Sequence, residues 1–267
     1  MVNTNPLIAQ PPQEVPLKDA PLVRVIAQVR FPPILSIEKK EFVGSFQEAI
    51  RETYPILHLE QTPGLVLGSP GIVETAPQLT WRFLDTTNSW RISLAPNFLA
   101  IETTAYSSRS DFLKRFKNAL QALDENFKPK VIERFGLRYI DRLVGQELED
   151  ISLLVKPEIA GIVATEFRKY IYQTINESWF IIPDGDEQII AARWGLMSAD
   201  VTFDPNAIEP IDEPSWILDI DMSSKSKNRE FSVEALISEA QNFAERIYTF
   251  FRWAVQDEFL RRFGGKL

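Results

Sequence analysis

Apolar and polar residues alternate along several stretches of the chain, and a period of two predicts β-strands. The stretch LVRVIAQVRF (22–31) alternates in this way and is followed by Pro32-Pro33, which ends a strand because proline cannot donate to the ladder. The stretch VIERFGLRYIDRL (131–143) alternates over a longer run. Further strands are predicted at 79–84, 89–95, 98–106, 178–182, 187–197 and 216–222, with a turn at PDGD (183–186).

Other stretches carry apolar residues three and four positions apart, which is the period of an amphipathic helix. The predicted helices are 38–54, 109–127 and 232–262. Ser110 is the expected N-cap of the second helix, and a partly helical stretch is predicted within 148–172. Residues 55–79 are rich in glycine and proline, so they are expected to form a loop with room for a short hairpin.

The order of these elements repeats once along the chain as strand, helix, three strands, helix. The repeat predicts an α+β fold of two tandem β-α-β-β-β-α halves, forming a curved antiparallel sheet with helices packed on one face. The first half is expected at 22–128 and the second at 129–267, together in one compact unit. Residues 1–21 hold five prolines and no apolar period, so they are expected to form a flexible arm.

Composition limits the classes of protein to which this chain can belong. The chain is 45% hydrophobic and 25% charged, and no apolar run reaches the roughly 18–20 residues that span a bilayer. There is no cysteine, which excludes disulfides and thiolate metal sites, and no signal-peptide pattern at the N-terminus. The net charge of −8 argues against binding of bulk nucleic acid. We therefore expect a cytoplasmic protein that does not associate with membranes.

The strand at 131–143 has an arginine on every fourth residue, and in a strand these positions share one face. The first strand carries an arginine at a matching position. The arginines expected to bind a ligand are Arg30, Arg134, Arg138 and Arg142. Two interpretations remain open: carboxylates of Asp219, Asp221 and Glu102 pair with the arginines across the sheet, or the guanidinium groups hold an anion, a nucleic acid or an acidic protein segment.

Two further features bear on this arginine face. Gly136 lies midway between Arg134 and Arg138, and a glycine inside a strand predicts a bend or a close approach of another backbone. Residues 198–215, the acidic loop, carry five acidic residues and no lysine or arginine. The acidic loop is predicted to be a solvated insertion, or else to cover the arginine face and compete with a ligand.

The sequence shows no familiar catalytic constellation. His58 is the single histidine, and neither a glycine-rich phosphate loop nor a nucleophile elbow is present. Asp219 and Asp221 lie two apart on a predicted strand, where they could hold Mg²⁺ in a nuclease, and this is the enzymatic alternative. Five tryptophans lie in predicted strands and are expected to pack in the sheet rather than stack on nucleic-acid bases: Trp81, Trp90, Trp179, Trp194 and Trp216.

Three segments resemble a known family: PLVRVIAQVRFPPI near the start, FGLRYIDRL at mid-chain, and LDIDM with a C-terminal helix ending FLRRFGG. They resemble a sporadically distributed prokaryotic family of uncharacterised proteins of about this length, over residues 21–263, with RFGLRYI (134–140) as the most specific part. Members usually have a histidine in the last helix, and this chain has none there. The resemblance implies no catalytic residues, and the family's patchy distribution implies a defence or toxin–antitoxin-like context.

These observations favour a non-catalytic binding or regulatory protein that needs no cofactor. Its partner is expected to be a protein or a discrete anionic ligand. The alternative is a Mg²⁺-dependent nuclease, or a nucleic-acid-binding protein that uses the open face of the sheet.

Overall fold

A computed structural model describes residues 5–68, 71–183, 185 and 187–266. The strands are β1 Leu22–Arg30, β2 Ile56–Gly68, β3 Gly71–Leu84, β4 Trp90–Ala95, β5 Phe98–Thr103, β6 Val131–Val144, β7 Asn176–Ile181, β8 Gln188–Met197 and β9 Ser215–Glu230. The α-helices are α1 Lys40–Ile50, α2 Arg109–Phe127, α3 Gly145–Glu149, α4 Ile151–Leu154, α5 Pro157–Ala160, α6 Val233–Ala254 and α7 Asp257–Arg262. Short 3₁₀ helices lie at Leu35–Glu38, Gly161–Ala164 and Glu166–Tyr170.

The strands form a large antiparallel sheet that is not closed, in the order β2-β3-β4-β5-β1-β6-β9-β8-β7. The α+β prediction is therefore confirmed, whereas the tandem relation of the two halves stays a prediction. The chain divides into two compact units. The first unit is Met1–Val25, Leu137–Ser224 and Ala240–Leu267, and the second unit is Ile26–Gly136 and Lys225–Glu239. Both units draw on both predicted halves, and the boundary at 128/129 stays a prediction.

The second unit contains the best-predicted helix. α2 has the predicted bounds, but its N-cap is Ser108 rather than Ser110, because the Ser108 hydroxyl accepts a hydrogen bond from the Asp111 N–H at 3.2 Å. The apolar stripe of α2 packs on the sheet, where the ring of Phe116 stacks on that of Phe135 with centroids 5.8 Å apart. Phe135 thus lies under a helix, on the face of β6 opposite to Arg134.

The predicted loop at 55–79 is instead a long hairpin in the second unit. β2 and β3 pair from Ile56 opposite Leu84 to Gly68 opposite Gly71, with a register shift between Thr62 and Gly64. The shift falls at Pro63, which has no N–H to donate. The glycines and prolines suggested a loop, but the two strands provide hydrogen-bond partners for each other that neither stretch shows alone.

In the first unit, the predicted 232–262 helix is interrupted. α6 ends at Ala254 and α7 begins at Asp257, because Val255 forms a β-bridge with Val155 and the Gln256 side-chain amide donates to the Val155 carbonyl at 2.7 Å. The apolar face of α6 covers the sheet, with the Phe250 ring 5.5 Å from that of Phe180 on β7. Side chains on the opposite face of β7 therefore do not contact α6.

The stretch predicted as partly helical, 148–172, consists of short helical turns. Pro157 begins α5, and Gly161 follows it with a φ of 51°, a conformation that interrupts an α-helix. These breaks keep the segment from forming a single amphipathic helix. No helix in the described part of the chain has the length and apolar character that crossing a membrane requires.

The predicted arm is attached to the C-terminal helices of the first unit. The Val15 N–H donates to the Tyr248 hydroxyl at 2.8 Å, and the Asp19 N–H donates to the Phe263 carbonyl at 3.2 Å. The first four residues of the arm lie outside the described residues, as does part of the predicted turn at 183–186. Whether the arm is flexible stays a prediction.

Candidate functional site

Arg138, on β6 of the first unit, is held by two carboxylates. Its Nε and Nη2 donate to the two carboxylate oxygens of Asp219 on β9 at 2.7 and 2.8 Å, and its Nη1 donates to Asp204 of the acidic loop at 2.7 Å. The Asp219 side chain is fully buried and that of Arg138 is 14% exposed. An anionic ligand would have to displace one of these carboxylates to reach Arg138.

Asp219 also lies close to a second arginine. Arg193 stands opposite Asp219 in the β8–β9 register, and its Nη1 is 3.5 Å from an Asp219 oxygen. Burial by itself lowers the pKa of Arg138, but the hydrogen bonds and charges of Asp219 and Asp204 outweigh burial and raise the pKa above its ordinary value. These contacts define the Arg138 cluster, which consists of Arg138, Arg193, Asp204 and Asp219.

The acidic loop lies over the arginine face of the first unit. Besides Asp204, its Glu209 carbonyl accepts a hydrogen bond from Arg142, and its Asn206 carbonyl accepts one from Arg24 at 3.4 Å. Ile208 in the loop is buried, so apolar packing holds the loop as well. The acidic loop therefore covers the arginine face of the first unit and is not simply a solvated insertion.

Ile140 lies on the same face of β6 as Arg138 and is fully buried. Helices on one face of the sheet predict that the arginine face is open, and this expectation is wrong at this point of the strand. The physical reason is that arginines with close carboxylate partners can be covered by protein at little electrostatic cost, whereas unpaired ones cannot.

Arg30 and Arg134 belong to the second unit. Arg30 ends β1 and is exposed. The Arg134 guanidinium folds back over Gly136, where a Cβ would stand 2.7 Å from Nη1. The close approach predicted at Gly136 is therefore made by the Arg134 side chain and not by another backbone. The four predicted binding arginines differ in environment, and their binding role stays a prediction.

Asp219, one of the two Mg²⁺ ligands of the enzymatic alternative, is already bound by an arginine. Both oxygens of Asp219 accept hydrogen bonds from Arg138, so a guanidinium occupies the position that Mg²⁺ would need. Within the described residues, no three His, Cys, Asp or Glu side chains group as a metal site requires. His58 is exposed on β2, opposite Arg82 in the β2–β3 register.

Exposed apolar side chains concentrate in one stretch of the first unit, which we name the apolar segment (153–181). Of thirteen large apolar side chains that are exposed in the described part of the chain, eight lie in these 29 residues. They are Leu153, Ile162, Phe167, Tyr170, Tyr172, Ile175, Trp179 and Ile181. Tyr170, Tyr172 and Ile181 are about three-quarters exposed, and Trp179 is 62% exposed. Exposed apolar groups at this density mark interaction sites.

The apolar segment ends in β7, which is the strand at one edge of the sheet, next to β8. The Thr174 N–H donates to the Leu196 carbonyl at 2.9 Å, and the Ile182 N–H donates to the Gln188 carbonyl at 3.0 Å. Since every second residue of an antiparallel strand bonds to a given neighbour, the even positions face β8. The backbone groups of Glu177, Trp179 and Ile181 therefore point to the outer edge, where the described part of the chain provides no strand to pair with them.

A cavity of about 590 Å³ in the first unit lies beside the residues that lead into β7, since Ile171 and Tyr172 line it. Its apolar walls include Leu148, Ile151, Val163, Leu196 and Met197, and its charged lining is Glu149, Glu166, Arg168, Lys169 and Glu213. Arg168 is committed to Glu149 and to the Leu148 carbonyl, which it reaches at 3.0 Å. Tyr172 lines the cavity, and its carbonyl accepts a hydrogen bond from Ser198 beside β8. The cavity and the edge are therefore continuous along the chain.

Sequence reasoning missed Trp179 as a surface residue. The expectation that strand tryptophans pack in the sheet is confirmed for Trp81, Trp90 and Trp216, which are buried, but it is wrong for Trp179. The local pattern around Trp179 resembles that of the others. The available signal was position, because the strand at 178–182 follows a long irregular stretch and edge strands are short.

Asp141, on β6 of the first unit, was also missed. Its side chain is buried, and burial raises the pKa to about 7 from the ordinary value near 3.8. The alternation of the strand places Asp141 on the same face as the buried Leu137 and Leu143, so a charged carboxylate there is costly.

No family model matches the chain, and no curated protein matches its sequence. The family resemblance of the RFGLRYI segment therefore stays a prediction.

Proposed function

We propose that this chain is a non-catalytic binding protein whose ligand is another polypeptide, docked on the apolar segment at the outer edge of β7. The observation that carries the proposal is the concentration of exposed aromatic and aliphatic side chains in 153–181 of the first unit. Tyrosine and tryptophan supply large rigid contact areas and are enriched in protein interfaces. An unpaired strand edge adds main-chain hydrogen bonds to such a contact.

The arginines support a polypeptide ligand over a small anion. Arg138 donates from Nε, Nη1 and Nη2 to the carboxylates of Asp219 and Asp204. Arg142 and Arg24 donate to carbonyls of the acidic loop. An anion would need to displace the acidic loop before it could reach Arg138. The apolar segment needs no such rearrangement.

Site-specific photo-crosslinking tests the proposal. A photoreactive amino acid replaces Ile181 in one variant and Leu35 in another, and both are used in lysate of the source cells. Leu35 is the matched control because it is 68% exposed but lies in the second unit, whereas Ile181 is 76% exposed. We expect one polypeptide to be joined at position 181 and not at position 35.

The recovered polypeptide is then purified and titrated against the full chain. Trp179→Ala is expected to raise its dissociation constant at least about tenfold, while Leu35→Ala changes it less than about twofold. Both replacements are at exposed sites, so equal melting temperatures check that neither variant unfolds. No adduct at position 181, or equal loss of affinity in both variants, contradicts the proposal.

A further inference from the structure

The surface around the apolar segment is acidic. Residues 145–181 carry six acidic and three basic side chains. Arg168 pairs with Glu149, whereas Lys156 and Lys169 lie over the rings of Trp253 and Tyr170, contacts that leave their positive charge in place. Because acidic side chains outnumber basic ones two to one, this stretch is still net negative.

Several of these acidic groups have no cation to balance them. Asp150 pairs with Arg262, but Glu158 and Glu166 have no ion-pair partner among the described residues. Glu166 lines the 590 Å³ cavity, and so does Glu213, which also has none there. Both are exposed, so they add negative potential at the cavity mouth without the cost of a buried charge.

The cavity suits a long cationic side chain. Its apolar walls, Ile151 and Val163 among them, can cover an aliphatic stem, and its two unpaired glutamates can take the charged head. The exposed rings of Tyr172 and Trp179 can accept further cations on their faces. The same negative potential disfavours anionic lipid and nucleic acid as ligands.

We infer that the polypeptide ligand presents a basic, extended segment that adds to the outer edge of β7 as a strand and sets a lysine or arginine in the adjoining cavity. This inference rests on the proposed function and names the chemistry of its partner. The outward backbone groups of Glu177, Trp179 and Ile181 provide the ladder, and the acidic rim provides the selectivity for positive charge.

A displayed library of random ten-residue peptides, selected on the full chain, tests the inference. We expect selected peptides to be enriched in lysine and arginine alternating with β-branched or aromatic residues. Selection on Glu166→Lys/Glu213→Lys is expected to lose that enrichment, while selection on the control Glu38→Lys/Glu41→Lys, which changes the same charge in the second unit, keeps it. Acidic or neutral peptides from the unaltered chain overturn the inference, as does unchanged enrichment in the cavity variant.

The tightest selected peptide is also synthesised with N-methyl groups on alternate backbone nitrogens, in both of the two possible phases. Strand addition predicts that one phase weakens binding at least about tenfold and the other much less, because only one edge of the peptide faces β7. Equal affinity for both phases overturns strand addition. If crosslinking at position 181 recovers a partner while the library result is negative, the proposed function stands and the basic-strand inference fails. If crosslinking recovers none, the proposed function itself fails.

Discussion

Arg138 and Asp219 form a two-pronged ion pair in the first unit, with Nε and Nη2 of the arginine 2.7 and 2.8 Å from the two oxygens of the aspartate. The aspartate is fully buried, so each partner satisfies a charge that would otherwise be stranded away from water. This geometry explains why a β-strand can carry an arginine on a face that the chain's own acidic loop covers.

Arg138→Ala is expected to lower the free energy of unfolding by about 3–5 kcal/mol, because it leaves Asp219 buried with only the more distant Arg193. Arg30→Ala, at an exposed position, is the control and is expected to change it by less than about 0.5 kcal/mol. Urea unfolding followed by far-ultraviolet circular dichroism measures both. Equal effects of the two substitutions would show that the buried pair does not hold the first unit together.

The two carboxylates that bind Arg138 are expected to contribute unequally to the free energy of unfolding. Asp219→Asn removes a fully buried charge and should cost about 3–5 kcal/mol, whereas Asp204→Asn removes one hydrogen bond at a site 23% exposed and should cost about 1–2 kcal/mol. The same denaturation experiment ranks them. The reverse order would contradict the assignment of Asp219 as the main partner.

Gly195 allows the chain before β7 to approach β8. A Cβ there would lie 2.0 Å from the Thr174 carbonyl oxygen, which is backbone and cannot swing away. Gly195→Ala is therefore expected to destabilise the protein by about 1–3 kcal/mol or more. Gly44→Ala is the control, since a Cβ at Gly44 on α1 meets nothing within 4 Å, and it should stabilise the helix by about 0.5–1 kcal/mol. Thermal melts measure both variants, and an unchanged melting temperature for Gly195→Ala would refute the close approach.

Asp141 predicts a specific pH dependence. Its pKa in the folded protein, about 7, is above the unfolded value near 3.8, so the folded state holds the proton more tightly. The resulting stabilisation is complete below about pH 3.8 and is lost as the pH rises to about 7, at up to about 1.4 kcal/mol per pH unit. Asp141→Asn should therefore be more stable than the unaltered protein at pH 8, and this advantage should shrink towards pH 5. Denaturation curves at both pH values measure the difference, and a constant difference would contradict the raised pKa.

The sequence predicted those elements whose signal is local. α2 was predicted with its observed bounds because its 3.6-residue apolar period lies within the helix itself. The break after α6 was not predictable, since the β-bridge between Val255 and Val155 joins residues a hundred positions apart. Of the β2–β3 hairpin, only the strand at 79–84 and a short hairpin within 55–79 were predicted, because each strand provides hydrogen bonds that the other does not show alone.

The candidate site was harder to predict than the fold. The arginine pattern on β6 was visible, but its meaning depended on Asp204 in a loop 66 residues away, which no period in the sequence connects to Arg138. Trp179 and Trp216 both lie in alternating strands, yet one is exposed and the other buried because β7 ends the sheet and β9 lies within it. Strand order is a tertiary property, and the exposed surface follows from it.

Amide hydrogen exchange at Glu177, Trp179 and Ile181 tests the central claim most directly, because these are the backbone groups directed to the outer edge of β7. The measurement compares the full chain alone with the chain saturated by the polypeptide recovered through position 181. We predict that these three amides exchange quickly in the unbound protein and slow at least about tenfold on binding, whereas the already paired amides of Ser178 and Phe180 change much less. Unchanged exchange at Glu177, Trp179 and Ile181 in the saturated complex would contradict docking on the edge of β7.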